Sequence, residues 1–290
     1  MNHYILFNPL AGNGAAQEAA ENLAASSPLD SYPTLMTEIT DYAAYLAGIS
    51  PEDTLTVCGG DGTLNRFVND TAGLEIPCEV YYLAAGSGND FLRDLDKTPD
   101  GTPVCITKYI RDLPVTEVKG KTYRFLNNVG FGIDGYCCEV GDELRKSSDK
   151  PVNYTSIAIK GLLFHYKPTN AKITVDGKEY SFKKVWLAPT MKGRFYGGGM
   201  MATPAQDRNA EEKTLSVLVF HGSGRLKTLA IFPSIFKGEH VKHTKNVAIL
   251  TGKDVKVSFD RPTALQIDGE TVLGVTEYAA TVHSKVPSGV

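Results

Sequence analysis

Two glycine-rich segments carry the residue types that phosphate chemistry needs. The first, GGDGTLN at 59–65, stands between an apolar run, TLTVC, and a helix-like stretch, LNRFVNDTA. Gly59, Gly60 and Gly62 permit positive φ and close approach of backbone to a bulky anion. Thr63 can cap a helix whose first N–H groups would point at that anion. The pattern predicts a phosphate cradle. Asp61 inside it would repel a bare phosphate, which leaves two roles for its carboxylate: a divalent cation mediates the contact, or the carboxylate holds the turn. The second segment, EVYYLAAGSGNDF at 79–91, repeats the design. A strand-like run ends in Gly86, Ser87 and Gly88, and Asn89 and Asp90 stand where a helix should begin; Asp90 also reads as an ordinary N-cap. A third turn, NPLAGNG at 8–14, supplies Asn8 and Gly12. Its G-x-G lacks the third small residue of a dinucleotide fingerprint, because position 17 is Gln, so a nicotinamide-dependent Rossmann enzyme is disfavoured.

Such turns must be held at the carboxyl ends of strands in one sheet, where α/β folds bind ligands. The first 110 or so residues supply those elements. HYILFN (3–8), TLTVCG (54–59) and EVYYLAAG (79–86) read as buried strands, and the Ala/Glu-rich 15–25 as a helix. That alternation predicts an α/β nucleotide-binding domain with a largely parallel sheet. From about 114 strand-like runs dominate, among them TYRFLNNVGFG, AKITVDGKEYSFKKVWLAP, TLSVLVFHG, NVAILTG, DVKVSFD and TALQIDGE. Asp176-Gly177 is a two-residue hairpin signal. Helical segments at about 133–165 and 225–237 interrupt this half. The expectation is two domains, 1–123 α/β and 124–290 a β-rich sandwich with helical insertions, the last residues returning to the first domain or staying in the second.

The 290 residues suit two domains better than one. No apolar run approaches the ~20 residues of a membrane span, and the start carries no basic n-region, so a cytoplasmic protein is expected, with peripheral membrane attachment left open. Five cysteines without a C-x-x-C pair argue against a disulfide framework and a cysteine zinc site. The net charge of −3 hides an asymmetry: residues 1–125 hold 8 Lys and Arg against 17 Asp and Glu, and residues 126–290 hold 22 against 16. Such a split hints at an anionic surface as partner, or marks two differently solvated surfaces. RLKTLAIFPSIFK (225–237) combines apolar residues with Arg225, Lys227 and Lys237; packing on its own sheet is the favoured reading and membrane contact the other.

The motifs NPLAG (8–12), GGDGTLN (59–65) and GSGNDFLRD (86–94) resemble the NPxSG, GGDGT and GTxND motifs of the diacylglycerol kinase catalytic family, in the same order. FLNNVGFGIDG (125–135), YGGGMMATPA (196–205) and LQIDGE (265–270) are similar to later family segments, so the resemblance covers most of the chain. It implies an ATP-dependent lipid kinase of two domains. ATP would be bound through Asn8, Gly12, Gly59, Gly60, Asp61, Gly62, Thr63, Gly86, Ser87, Gly88 and Asn89, and Mg²⁺ through Asp61 and Asp90. NAD kinases share the GGDGT motif and give the alternative of a soluble dinucleotide acceptor.

The departures from the family pattern are specific. Ala11 replaces Ser, Ser87 replaces Thr, and Arg66 stands where the family usually has Glu. The family's acidic D-G pair, associated with Mg²⁺, is absent from PAQDRNAEEKTL (204–215), where Asp207, Glu211 and Glu212 are the candidate substitutes. These changes keep open a third reading, a catalytically weak nucleotide-binding or regulatory protein. Phosphoryl transfer needs alignment and charge neutralisation more than covalent help. The acceptor hydroxyl must lose a proton, and Asp268 is the candidate base with Glu270 in support, although Asp-Gly is also a common hairpin tip. The expected partners are a lipid substrate, with a peripheral membrane surface and a homodimer left open, and no nucleic acid.

Overall fold

The computed structural model describes residues 1–9, 11–86, 88–147 and 152–283. In the N-terminal part the near-continuous apolar runs at 2–7, 54–59 and 79–84 become the inner strands of a five-stranded sheet, whose edge strands are shorter or more exposed. The strands are β1 (Asn2–Phe7), β2 (Asp30–Leu35), β3 (Thr54–Gly59), β4 (Glu79–Ala84) and the short β5 (Val104–Cys105), in the order β2-β1-β3-β4-β5. The first four are parallel and β5 is antiparallel. Ile5, Leu6, Leu55, Val57 and Tyr82 are fully shielded in this sheet. Among the described residues the strands are joined or followed by α1 (Ala15–Ser26), α2 (Tyr42–Ala47), α3 (Asp61–Asp70), α4 (Asp90–Asp94) and α5 (Thr107–Ile110). Ala20 of α1 packs with Ile5, Phe7, Cys58 and Leu83, and α3 buries Leu64, Phe67 and Val68. Strand order reverses between β1 and β3, which makes their carboxyl ends the switch point of the sheet.

The chain divides into two units, Met1–Leu113 and Pro114–Val290. The second unit is built on a ten-stranded sheet. Its strands are β6 (Val115–Val118), β7 (Lys121–Arg124), β8 (Asn128–Gly132), β9 (Thr169–Val175), β10 (Lys178–Val185), β11 (Leu187–Met191), β14 (Leu215–Phe220), β15 (Val247–Gly252), β16 (Asp254–Ile267) and β17 (Glu270–Thr281). A separate two-stranded ribbon joins β12 (Phe195–Tyr196) to β13 (Met200–Met201). Every pairing in the large sheet is antiparallel. Residues 115–124, all but the last of which a boundary at 123/124 counts with the first domain, form the β6–β7 hairpin, and β6 pairs with β17. The strand β17 thus belongs to the second unit's own sheet.

One apolar cluster gathers Phe131, Ile173, Val257, Leu265 and Tyr278. A second lies under the helices α6 (Ile133–Ser147), α7 (Tyr154–Lys160) and α8 (Arg225–Ile231), around Trp186, Leu187, Leu218, Ile231 and Ile235. The Trp186 indole N–H donates to the Ser223 carbonyl at 3.0 Å. A π-helical turn, 161–165, follows α7, and a 3₁₀ segment, 232–237, follows α8. The Asp176-Gly177 hairpin has φ of 48° and 77°, the left-handed pair that a tight two-residue turn requires. DVKVSFD and TALQI, read as separate runs, are one strand whose register with β17 shifts between Ser258 and Thr263.

Candidate active site

The three glycine-rich turns follow β1, β3 and β4, which are neighbours in the sheet, so their turns meet at one edge of the first unit. Gly60, in extended backbone, caps α3, and the first intrahelical bond runs from Leu64 N–H to Gly60 O at 3.1 Å. The N–H groups of Asp61, Gly62 and Thr63 therefore precede the helical ladder, as an anion site requires. Thr63 is not the cap expected from the sequence. It is the third residue of α3, and its buried side chain fills the space a Cβ on Gly59 would take, 2.5 Å away. Gly59 O receives two donors, Ala85 N–H at 2.8 Å and the Tyr82 hydroxyl at 3.0 Å. Burial, with the Asp61 charge adding to it, pushes the Tyr82 hydroxyl well above its ordinary value, so it remains a donor.

Backbone packs on backbone between these turns. A Cβ at Gly86 would stand 2.5 Å from the Gly60 Cα, one at Gly60 would stand 3.2 Å from the Gly86 Cα, and one at Gly12, whose φ is 61°, would overlap Ala85 O. The glycines are thus required by contact between the turns themselves, a constraint that single-segment reading attributes to the ligand alone. Asp61 completes the junction: its Oδ2 accepts from Asp90 N–H at 2.8 Å and its Oδ1 from Phe91 N–H at 3.2 Å. A carboxylate in the first turn of α3 therefore caps α4, which resolves part of the ambiguity left by the sequence: this carboxylate holds a turn. A Cβ at Gly88 would lie 3.2 Å from Asp61 Oδ2, a tight contact with the same group. Asn89 has left-handed backbone (φ 49°), and its Nδ2 donates to Gly86 O at 2.7 Å. Its Oδ1 is buried and has no hydrogen-bond partner among the described residues. Asp90 is buried with a carboxylate oxygen 3.9 Å from Arg93 Nη1. Asn8 O accepts from Ala11 N–H at 3.0 Å, closing the first turn. Ser87 lies outside the described residues. Arg66 is half exposed and pairs with Asp70 at 3.2 Å along α3.

Among the described residues no group of three or more His, Cys, Asp and Glu is placed to hold a metal ion. Asp207 is exposed and accepts from Asn209 N–H at 2.8 Å. Glu211 is exposed, and Glu212 pairs with Lys253 at 3.0 Å. Mg²⁺ on a nucleotide needs only one or two protein oxygens, the phosphates and water supplying the rest. Asp61, Asp90 and the unsatisfied Asn89 Oδ1 fit that lesser demand.

In the second unit, Asp268 and Gly269, with φ of 47° and 95°, form the tip of the β16–β17 hairpin. The Asp268 carboxylate folds back on the chain entering β8: Oδ2 accepts from Leu126 N–H at 2.6 Å, and Oδ1 from Asn127 and Asn128 N–H at 2.8 and 2.9 Å. Glu270, two residues on, is exposed. A buried polar chain supports the tip. Gly269 N–H donates to Gln266 Oε1 at 2.9 Å, and Gln266 Nε2 donates to Asp134 Oδ2 at 3.2 Å. Burial pushes the Asp134 carboxyl up to about 6. Arg208, almost fully buried, donates to Leu126 O at 2.8 Å and Asn127 Oδ1 at 3.0 Å. Sequence reasoning missed Gln266, Asp134, Asn127 and Arg208. The first three stand inside quoted motifs, and Arg208 sits in a segment searched only for acids.

The sequence profile of the diacylglycerol kinase catalytic domain matches residues 2–118. That of the YegS C-terminal NAD kinase beta sandwich-like domain matches 127–286. The chain belongs to the diacylglycerol kinase family. It is a lipid kinase, and the family's donor is ATP. A "Diacylglycerol kinase" of Mycobacterium tuberculosis is 28% identical over 254 residues, covering 82% of this chain and 79% of the relative. "Putative lipid kinase YtlR" of Bacillus subtilis is 25% identical over 244 residues, covering 77% and 75%. Among solved structures, a "putative diacylglycerol kinase" from Bacillus anthracis superposes with a TM-score of 0.68 at 21% identity, covering 97% of this chain and 91% of that one, a likeness of fold.

Proposed function

We propose that this kinase transfers the γ-phosphoryl group of ATP to the hydroxyl of a diacylglycerol-type lipid presented at a membrane surface. The observation that carries the proposal is the interlock of three glycine turns at the sheet's switch point, through the backbone contacts of Gly12 with Ala85 and of Gly60 with Gly86 and through the Asp61 carboxylate, which joins the α3 and α4 turns. The amides of residues 61–63, with Asn8, Gly12 and the segment 86–89, bind the phosphates. Asp61 keeps the α3 and α4 turns in register, and Asp90 and Asn89 would hold the cation. Mg²⁺, when bound with ATP, neutralises the charge that develops on the transferring oxygens. Asp207, Glu211 and Glu212, exposed or paired elsewhere, take no part.

The hairpin tip at 268–270 supplies the proton acceptor. Asp268 is engaged by three amides that fix the turn, whereas Glu270 is exposed on the same tip. Glu270 therefore takes the hydroxyl proton and Asp268 positions it. The test is an acceptor screen: purified protein with γ-labelled ATP and Mg²⁺ is offered a bacterial lipid extract, diacylglycerol, or NAD. Label in phosphatidic acid is the expected outcome; label in NADP, or in no product, removes the proposal.

A further inference from the structure

The segment 225–237 is apolar on two faces, and only one of them is covered. Its inner face packs in the cluster under Trp186 through Ile231 and Ile235, with Leu229 and Phe232 against it. Its outer face shows Leu226, Ala230, Pro233 and Phe236 to solvent, beside Lys227 and Lys237. Leu226 is 78% exposed. The neighbouring α7 and its π turn repeat the arrangement: Ile157 and Leu162 are buried, while Tyr154, Ile159 and Phe164 stay exposed, Phe164 at 70%. α8 packs on that π turn, and Arg225 Nη1 donates to Leu162 O at 2.7 Å, so the two segments share one surface of the second unit. Five of the eleven exposed large apolar side chains among the described residues lie in these two segments. Such clustering, unlike scattered single residues, marks an interaction surface.

Charge decides the occupant. Residues 152–168 and 221–238 contain Lys160, Lys167, Arg225, Lys227 and Lys237 and not one Asp or Glu. A two-fold pairing of this face with a second copy would set cations against cations, and interface cores are depleted in lysine. An anionic lipid surface complements the same pattern: apolar side chains enter the headgroup boundary while lysine stems lie along it with their ammonium groups at the phosphates.

We propose that Ile159, Phe164, Leu226, Pro233 and Phe236, on segments that carry these five cations and no carboxylate, form the surface by which the kinase docks on an anionic bilayer. The inference rests on the lipid-kinase reading for its purpose, but its test does not depend on turnover. The full chain is sedimented with vesicles of phosphatidylcholine, alone or with phosphatidylglycerol, neither carrying diacylglycerol. The wild type pellets with the anionic vesicles and less so as salt rises. Phe164→Asp and Leu226→Asp each lower partition about tenfold, the scale of one large apolar side chain returned to water. Both positions are exposed, so melting temperature is retained, as is phosphorylation of a short-chain, water-dispersed diacylglycerol. Wild-type partition in both variants, or no vesicle binding by the wild type, overturns the docking surface, as does a dimer in solution that the variants dissociate. Vesicle binding that these variants abolish, in a protein that phosphorylates no diacylglycerol, would instead leave the surface standing and remove the proposed reaction.

Discussion

Gly86→Ala adds one methyl group where the first unit has no room for it. That carbon would lie 2.5 Å from the Gly60 Cα and 3.2 Å from the Gly60 nitrogen. Carbon atoms settle at ~3.5–4.0 Å, so the α3 and α4 turns must part by roughly 1 Å. Both neighbours are backbone, so no side chain can swing aside. The bonds that cross the junction stretch together: Ala85 N–H to Gly59 O at 2.8 Å, and Asp61 to the amides of Asp90 and Phe91 at 2.8 and 3.2 Å. Overpacking and a weakened charge-assisted cap combine to cost about 2–4 kcal/mol, a fall of roughly 5–15 °C in melting temperature. A phosphate cradle displaced by ~1 Å loses on the order of 10²-fold in turnover. Gly60→Ala, with 3.2 Å to Gly86, falls between this variant and Gly224→Ala, where a Cβ meets nothing within 4 Å. Calorimetry and ATP-dependent turnover on the three variants give the order. A Gly86→Ala protein that melts and turns over like Gly224→Ala would refute the interlock.

Asp134 gives a prediction of stability against pH. Its carboxyl is raised from 3.8 to about 6 by burial, so between those values the folded protein keeps a proton that the unfolded chain has released. Stability therefore falls as pH rises through that window and levels above it, by ~3 kcal/mol for a shift of about two units. Asp134→Asn removes this fall and adds a constant loss from the disturbed Gln266 bond. Urea unfolding at about pH 4 and about pH 7 would show parallel behaviour in both proteins if the reasoning fails. At the hairpin tip, Asp268→Asn leaves an amide N–H group facing backbone donors and lowers stability by ~1–3 kcal/mol as well as turnover. Glu270→Gln keeps wild-type melting and loses ~10²–10⁴-fold in kcat; a stable Gln variant with full activity would move the base elsewhere.

Local signals carried much of this structure. The runs at 54–59 and 79–84 are strands because their apolar residues are continuous, and Asp176-Gly177 turns because that pair tolerates positive φ. The order of the three glycine turns identified the family. What stayed hidden depends on partners far away in the chain. Asp61 caps a helix 29 residues on, and Asp268 binds amides some 140 residues earlier; neither spacing leaves a local mark. The β6–β7 hairpin lies with the second unit because β6 pairs with β17, more than 150 residues later. Along 225–237, periodicity located the helical segment but could not separate its two apolar faces. Only packing shows that Ile231 and Ile235 are covered and Leu226 is not.

On the proposed reading, the three interlocked turns hold ATP for transfer to a lipid hydroxyl. Transfer of label from γ-labelled ATP to a short-chain diacylglycerol, measured side by side for the wild type and Gly86→Ala, tests it most directly. The wild type is expected to give labelled phosphatidic acid, and the variant to lose on the order of 10²-fold at a temperature where both are folded. Equal rates in the two proteins, or no labelled lipid from the wild type, would contradict it.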